Sequence, residues 1–224
     1  MGTLFIVSTP IGNLGDITLR ALEKLKEVDA IICEDTRRTA LLLNHYSIKK
    51  PLLVLNDFNE VLEFPKIIAR LIAGQNLALV SDAGTPLISD PGYKLVRECV
   101  SQNIPVDSLP GPSSVITALT LSALPPDKFL FLGYPPEKPG KRKDFFEKIK
   151  ILNDKMPTTY IMFVSPYKLL GVLHDIEDAF GDIEVVLAKE LTKIYQSVQS
   201  KKVGEWIETL THPKGEYILL LNLN

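Results

Sequence analysis

The fold turns on the stretch Leu77-Ala78-Leu79-Val80-Ser81-Asp82-Ala83-Gly84-Thr85-Pro86-Leu87-Ile88-Ser89-Asp90-Pro91-Gly92. Leu77 to Ser81 is apolar without the alternation that marks a strand wet on one face, so it reads as a strand buried on both. Small and turn-forming residues follow, and an amphipathic helix starts near Tyr93. Strand, loop and helix in that order form the repeating unit of a parallel α/β sheet. Working outward, Leu4 to Ser8, Ala30 to Cys33, Leu52 to Leu55 and Pro105 to Leu109 repeat the pattern. Between them lie helical segments, the clearest being Ile17 to Val28, where Leu19, Leu22 and Leu25 recur at threes behind Asp16 as N-cap.

Leu124-Pro125-Pro126-Asp127 interrupts this alternation with two prolines, which remove backbone donors and restrict the residues before them. The reading is two domains, 1–124 and 125–224. In the second, strands are expected at Phe129 to Gly133, Thr158 to Val164, Ile183 to Glu190, near Tyr195 to Lys202, and at Glu216 to Leu221. Helices from Arg142 and Tyr167 complete a mixed α/β domain. The 224 residues, 46% hydrophobic and 23% charged, exclude a mostly disordered chain. A net charge of −2 excludes a protein that coats nucleic acid nonspecifically, so any such contact has to be local. Two cysteines, Cys33 and Cys99, give no disulfide framework and suggest reduced thiols in the cytoplasm. The opening Met-Gly-Thr-Leu-Phe-Ile-Val-Ser lacks a basic leader, Ile6 stands where a myristoylation signal needs Ser or Thr, and no run suits a bilayer.

Chemistry-bearing residues gather at the carboxyl ends of the expected strands, where open α/β sheets place ligands. The loop from Ser81 to Gly92 offers Asp82 and Asp90 as carboxylates and Gly84 and Gly92 for close backbone approach, a cradle for a polar ligand bearing amines or hydroxyls. It is neither GxGxxG nor GxxxxGK[ST]. The loop Ser8-Thr9-Pro10-Ile11-Gly12-Asn13-Leu14-Gly15-Asp16 suits a ligand, or merely a strand-to-helix turn. Glu34-Asp35-Thr36-Arg37-Arg38 can accept a proton and grip hydroxyls, or form a salt-bridged surface turn. Pro110-Gly111-Pro112-Ser113-Ser114 opens the helix Val115 to Leu121 and serves as an anion site, an N-cap or both. His45, His174 and His212 share no metal-ligand spacing, and no GxSxG or cysteine-nucleophile motif occurs, so neither metal nor covalent catalysis is indicated. Between Glu137 and Lys150, six basic residues face three acidic ones. They make either a phosphate-binding edge or a solvated helix face, while Phe145, Phe146 and Ile149 read as core.

The strings Ser8 to Thr18, Glu34 to Arg37, Ser81 to Pro86 with Ser89 to Tyr93, and Pro110 to Ser114 occur in one order. On them the chain resembles the tetrapyrrole methylase superfamily, in its branch that modifies ribosomal RNA. The likeness continues through Glu190-Leu191-Thr192-Lys193 to Gly215-Glu216-Tyr217. It implies two α/β domains with S-adenosylmethionine in the cleft between them. It also implies methyl transfer to the ribose 2′-hydroxyl of a cytidine in the decoding region of small-subunit rRNA, on free RNA or the assembled subunit, by a homodimer. Carried across by position, the cofactor would meet Pro10, Asp82, Ala83, Gly84, Thr85, Pro86, Ser113, Ser114, Val164, Leu191, Gly215 and Glu216. Glu34, Asp35 and Arg37 would form the catalytic group, either acid accepting the proton. Asn13, Arg37, Arg38, Lys138, Lys141, Arg142 and Lys143 would hold RNA.

Relatives usually read Glu-Ser-Pro-His-Arg where this chain has Val164-Ser165-Pro166-Tyr167-Lys168, and many run on past the Gly-Glu-Tyr strand. Both departures bear on RNA docking. A tetrapyrrole-like small molecule as methyl acceptor, and a cofactor-binding module without catalysis, are the competing expectations.

Overall fold

Short apolar runs set the first sheet. In the computed structural model, which describes residues 1–56 and 59–223, they become β1 (Leu4–Val7), β2 (Ala30–Cys33), β3 (Leu52–Val54), β4 (Leu77–Val80) and β5 (Val106–Leu109). All pair in parallel, in the order β3-β2-β4-β1-β5. Every residue of β2 and β4 is buried, the mark of strands covered on both faces. The covering helices are α1 (Leu19–Glu27), α2 (Thr36–His45), α3 (Glu60–Ile72) and α4 (Tyr93–Ser101).

The first helix departs from expectation. Asp16 ends a short 3-10 turn, Leu14–Asp16, and the cap of α1 is Thr18, whose Oγ1 accepts the Ala21 amide at 3.1 Å. Of the leucines at threes, Leu25 is buried and Leu22 packs partly buried on the same core, but Leu19 is 79% exposed and Ala21 is buried with Leu25. A helix turning every 3.6 residues rotates a strict threefold row off the core and brings i, i+4 pairs onto it.

The second unit comprises α5 (Ser114–Leu121), β6 (Phe129–Phe131), α6 (Pro139–Lys155), β7 (Thr159–Val164), α7 (Leu169–Phe180), β8 (Glu184–Lys189), β9 (Ser197–Lys202), α8 (Val203–Thr209) and β10 (Tyr217–Asn222). Its sheet runs β6-β7-β10-β8-β9, with β6 and β7 parallel and the other pairs antiparallel, mixed as expected. Phe146 and Ile149 enter its core with Tyr160, Leu173 and Leu219. Burying a Leu, Ile or Phe side chain contributes roughly 1.5–3 kcal/mol. The compact units are Met1–Ser113 and Ser114–Asn224, so the division falls before α5 and not at Leu124–Asp127. Helix α5 packs on β10, and the proline pair begins the run into β6.

Candidate functional site

Within the first unit, the loops after β1, β4 and β5 are tied to one another at their strands' carboxyl ends. Thr9 and Gly84 exchange backbone hydrogen bonds of 2.9 and 3.0 Å, and the Thr9 hydroxyl donates to the Ser81 carbonyl at 3.2 Å. Thr85 accepts from the Ser8 hydroxyl at 3.3 Å and donates to the Pro112 carbonyl at 3.1 Å, so one side chain joins three loops. Gly84 has φ +82°, and a Cβ on Gly111 would come within 2.9 Å of Ser8 Cβ. These glycines allow the close loop approach expected of a cradle.

The β2 loop is held by charge. Asp35 caps α2: its Oδ1 accepts the Arg37 amide at 2.8 Å and Nε at 3.0 Å, and its Oδ2 accepts Nη2 at 2.6 Å. The Arg37 side chain, then its amide, draw the Asp35 carboxyl down to about 2. That revises the expected role, because a carboxylate so stabilised is a weak base. Asp82 Oδ1 accepts the Asp35 amide at 3.2 Å and Oδ2 pairs with Arg38 Nε at 3.4 Å. Asp82 thereby cross-links the loops after β2 and β4.

Asp90, read from the sequence as a ligand carboxylate of the cradle, was not among the residues expected to take the proton. Burial, then the Glu34 charge, push it up to about 6, with Asp82 adding to the rise and a Ser81 hydrogen bond opposing it. An acid titrating so near neutrality, beside two other acids, is suited to exchanging a proton. Its position in a Ser-Asp-Pro-Gly turn after a buried strand was the available signal. Thr39 went unremarked: it is buried, its Oγ1 has no hydrogen-bond partner among the described residues, and with Pro10, Arg38 and Asp82 it lines a cavity of about 180 Å³. An orphaned buried hydroxyl beside glycine-permitted loops and a carboxylate fits a cofactor carrying hydroxyls and an amino-acid tail. Burial pushes both cysteine thiols up, Cys99 to about 11, so neither is an activated nucleophile.

In the second unit the expected cofactor residues occupy two turns and a strand end. Glu190 Oε1 accepts the Glu216 amide at 2.8 Å, and Lys193 Nζ reaches Glu190 at 3.2 Å and Glu216 at 2.8 Å. Gly215 has φ +93°, and a Cβ there would stand 2.8 Å from Glu190 Oε1. Val164 and Leu191 are buried, Val164 within the core. Lys138, Lys141 and Lys143 are exposed along the start of α6, as a phosphate-binding edge requires. Arg142 is a correction: it is buried, its Nε bonded to Asp175 and its Nη1 to the carbonyls of Pro136 and Glu137, so it cannot reach an RNA backbone. The spacing that exposes its neighbours turns residue 142 to the core face. Asn13 caps the 3-10 turn, accepting the Gly15 amide at 3.0 Å. Among the described residues no group of three or more His, Cys, Asp or Glu could hold a metal ion, and no helix is long and apolar enough to cross a membrane.

Comparison with known proteins agrees with this arrangement. The family model of tetrapyrrole (corrin/porphyrin) methylases matches residues 3–206. Ribosomal RNA small subunit methyltransferase I of Escherichia coli O157:H7 is 48% identical over 98% of this chain and 77% of its own length. The protein of the same name from Thermotoga maritima is 46% identical over 99% of both chains. A crystal structure of diphthine synthase, 14% identical, superposes with a TM-score of 0.77 over 99% of this chain and 90% of its own, a likeness of fold. The chain belongs to the tetrapyrrole methylases, in the ribosomal RNA small subunit methyltransferase I family.

Proposed function

We propose that this protein is an S-adenosylmethionine-dependent methyltransferase of small-subunit ribosomal RNA, acting on the ribose 2′-hydroxyl of a cytidine in the decoding region. The near end-to-end likeness to relatives of that name carries the reading. The raised Asp90 beside Glu34 supports it chemically. When bound, the cofactor supplies a methyl group on a good leaving group. For its binding the first unit offers Pro10, Asp82, Ala83, Gly84, Thr85, Pro86 and Ser113. The second offers the amide of Ser114 at the start of α5, with Val164, Leu191, Gly215 and Glu216.

What remains for the protein is to align the acceptor oxygen and take its proton. Asp90 takes that proton, the Glu34 charge beside it making it the better base. Asp35 positions Arg37, whose guanidinium can hold a phosphate. Asn13, Arg38, Lys138, Lys141 and Lys143 supply further RNA contacts, and the working form is a homodimer in the cytoplasm. The test is incubation with labelled S-adenosylmethionine and small subunits lacking this methylation, followed by mapping of the label. A single labelled cytidine 2′-oxygen is expected. Label on a porphyrinoid but on neither rRNA nor subunits overturns the reading.

A further inference from the structure

A net charge of −2 confines any RNA contact to a local surface, and the first unit holds one that starts from the β2 loop. Thr36 to Asn56 carries four basic residues, Arg37, Arg38, Lys49 and Lys50, and no Asp or Glu. Helix α2 occupies the first half of that run. It buries Thr39, Leu42 and Leu43 and turns Arg37, Arg38, Leu41, Asn44 and His45 to solvent. A cavity of about 360 Å³ lies toward its carboxyl end, lined by Asn44, Lys49, Lys50, Pro51 and Leu52, among others. Leu52 opens β3, the edge strand of the sheet.

The two ends of this surface differ in how their charge is met. Asp35 and Asp82 answer Arg37 and Arg38, whereas neither Lys49 nor Lys50 pairs with a carboxylate among the described residues. In the second unit, by contrast, Asp175 takes Arg142, Glu137 takes Lys168, and Glu190 and Glu216 take Lys193. A groove lined by two ammonium groups and no acid focuses positive potential and suits an anion. Between the cationic ends, Leu41 is 70% exposed and His45 lies edge-on to Tyr46 at 4.7 Å between centroids. These are faces on which unstacked bases can rest. The ten residues of α2 rise about 15 Å, the reach of a few nucleotides of extended strand. Cations at both ends with apolar faces between them fit a polynucleotide strand, where a small anion would use one end alone.

We infer that the solvent face of α2 and the groove at its carboxyl end form an RNA-docking surface, on which Lys49 and Lys50 hold phosphates of the strand that leads away from the modified nucleotide. The inference rests on the rRNA reading above and names the face that the strand follows. Phosphate contacts carry no sequence information, so this surface fixes the register of the strand and not the choice of nucleotide.

The experiment compares wild type with the double variants Lys49→Gln/Lys50→Gln and Lys49→Arg/Lys50→Arg, on undermethylated small subunits and on naked small-subunit rRNA. It measures binding to each as a function of salt, S-adenosylmethionine affinity by calorimetry, sedimentation of the free protein, and methyl-transfer kinetics. Lys49 is exposed and Lys50 half-buried, and glutamine keeps much of each stem, so the fold stays in place. The glutamine pair is expected to weaken binding to subunits and to rRNA about 2- to 30-fold, the range for two exposed charge contacts. The slope of log K against log salt should fall by about 1.4, at about 0.7 per phosphate of a single strand. KM for subunits rises while kcat and cofactor affinity hold, a split that a loosened fold would not give. The arginine pair restores both binding and slope. Unchanged binding, or an unchanged slope, in the glutamine pair overturns the inference. A loss confined to subunits, with naked rRNA bound as before, assigns the surface to a ribosomal protein and overturns it. Slower sedimentation of the glutamine pair assigns it to contact between copies of the chain and overturns it too. Wild type that methylates no subunit fails the rRNA reading itself, a result distinct from all of these.

Discussion

The loops of the first unit and those of the second handle charge differently. In the second, nearly every charge beside the expected ligand positions is matched: Glu190 and Glu216 share Lys193, Arg142 takes Asp175, and Lys168 takes Glu137. In the first, Asp35 and Asp82 are matched by Arg37 and Arg38, but Asp90 is held near neutrality by burial and the Glu34 charge, and the Thr39 hydroxyl has no partner. Folding stability favours pairing, so groups left unbalanced at strand ends mark where the fold has kept something for chemistry. Under the proposed function, the first unit supplies the groups that exchange the proton.

That contrast can be broken at graded cost. Glu34→Gln takes from Asp90 the charge that makes it the better base and should lower methyl transfer toward the roughly 10²- to 10⁴-fold of a lost general base, with cofactor affinity unchanged in calorimetry. A loss below tenfold would remove the carboxylate pair from the reaction. Gly215→Ala forces a side chain into positive φ and against Glu190. It should cost about 1–3 kcal/mol of stability in urea unfolding, while Gly140→Ala, with open space around it, should cost nothing measurable. Asp90→Asn acts with pH. A carboxyl raised to about 6 in the fold penalises the folded state once it ionises above that value. Below about pH 4 it is protonated folded and unfolded alike, and the penalty vanishes. The variant should therefore be more stable by about 1 kcal/mol at pH 8, a figure reduced for the solvent that screens the half-exposed group. The gain should fade between pH 6 and 4 while methyl transfer suffers throughout. Lys193→Met should cost about 0.2–1 kcal/mol, and less in high salt, because the ion pairs it removes stay partly solvated.

Much of this was legible in the chain. Ala30–Cys33 and Leu77–Val80 are apolar at every position, and such runs have little choice but a strand buried on both faces. A salt-bridged turn was one of the two readings of Glu34 to Arg38, and Arg37 does pair with Asp35 there at 2.6 Å. What escaped is set by distant partners. Arg142 lies in a basic run and looks solvated until Asp175, 33 residues on, pairs with it. Asp90 reads in the sequence only as a carboxylate for a polar ligand until folding brings Glu34 and Asp82 beside it. The cap of α1 was misplaced for a different reason: Asp16 and Thr18 are both good caps, and only the 3-10 turn tied by Asn13 decides between them.

Strand β10 has a consequence for synthesis. It is the last strand of its sheet in chain order, yet it lies between β7 and β8 and pairs with both. During translation the first unit has all five of its strands and can close early. The second waits as two open ribbons, β6-β7 and β8-β9, each with a bare edge, until Tyr217–Asn222 emerges and zips them together. The second unit is therefore most exposed to misassembly between the synthesis of β9 and that of β10, when most of its core has been made and the strand that joins it has not.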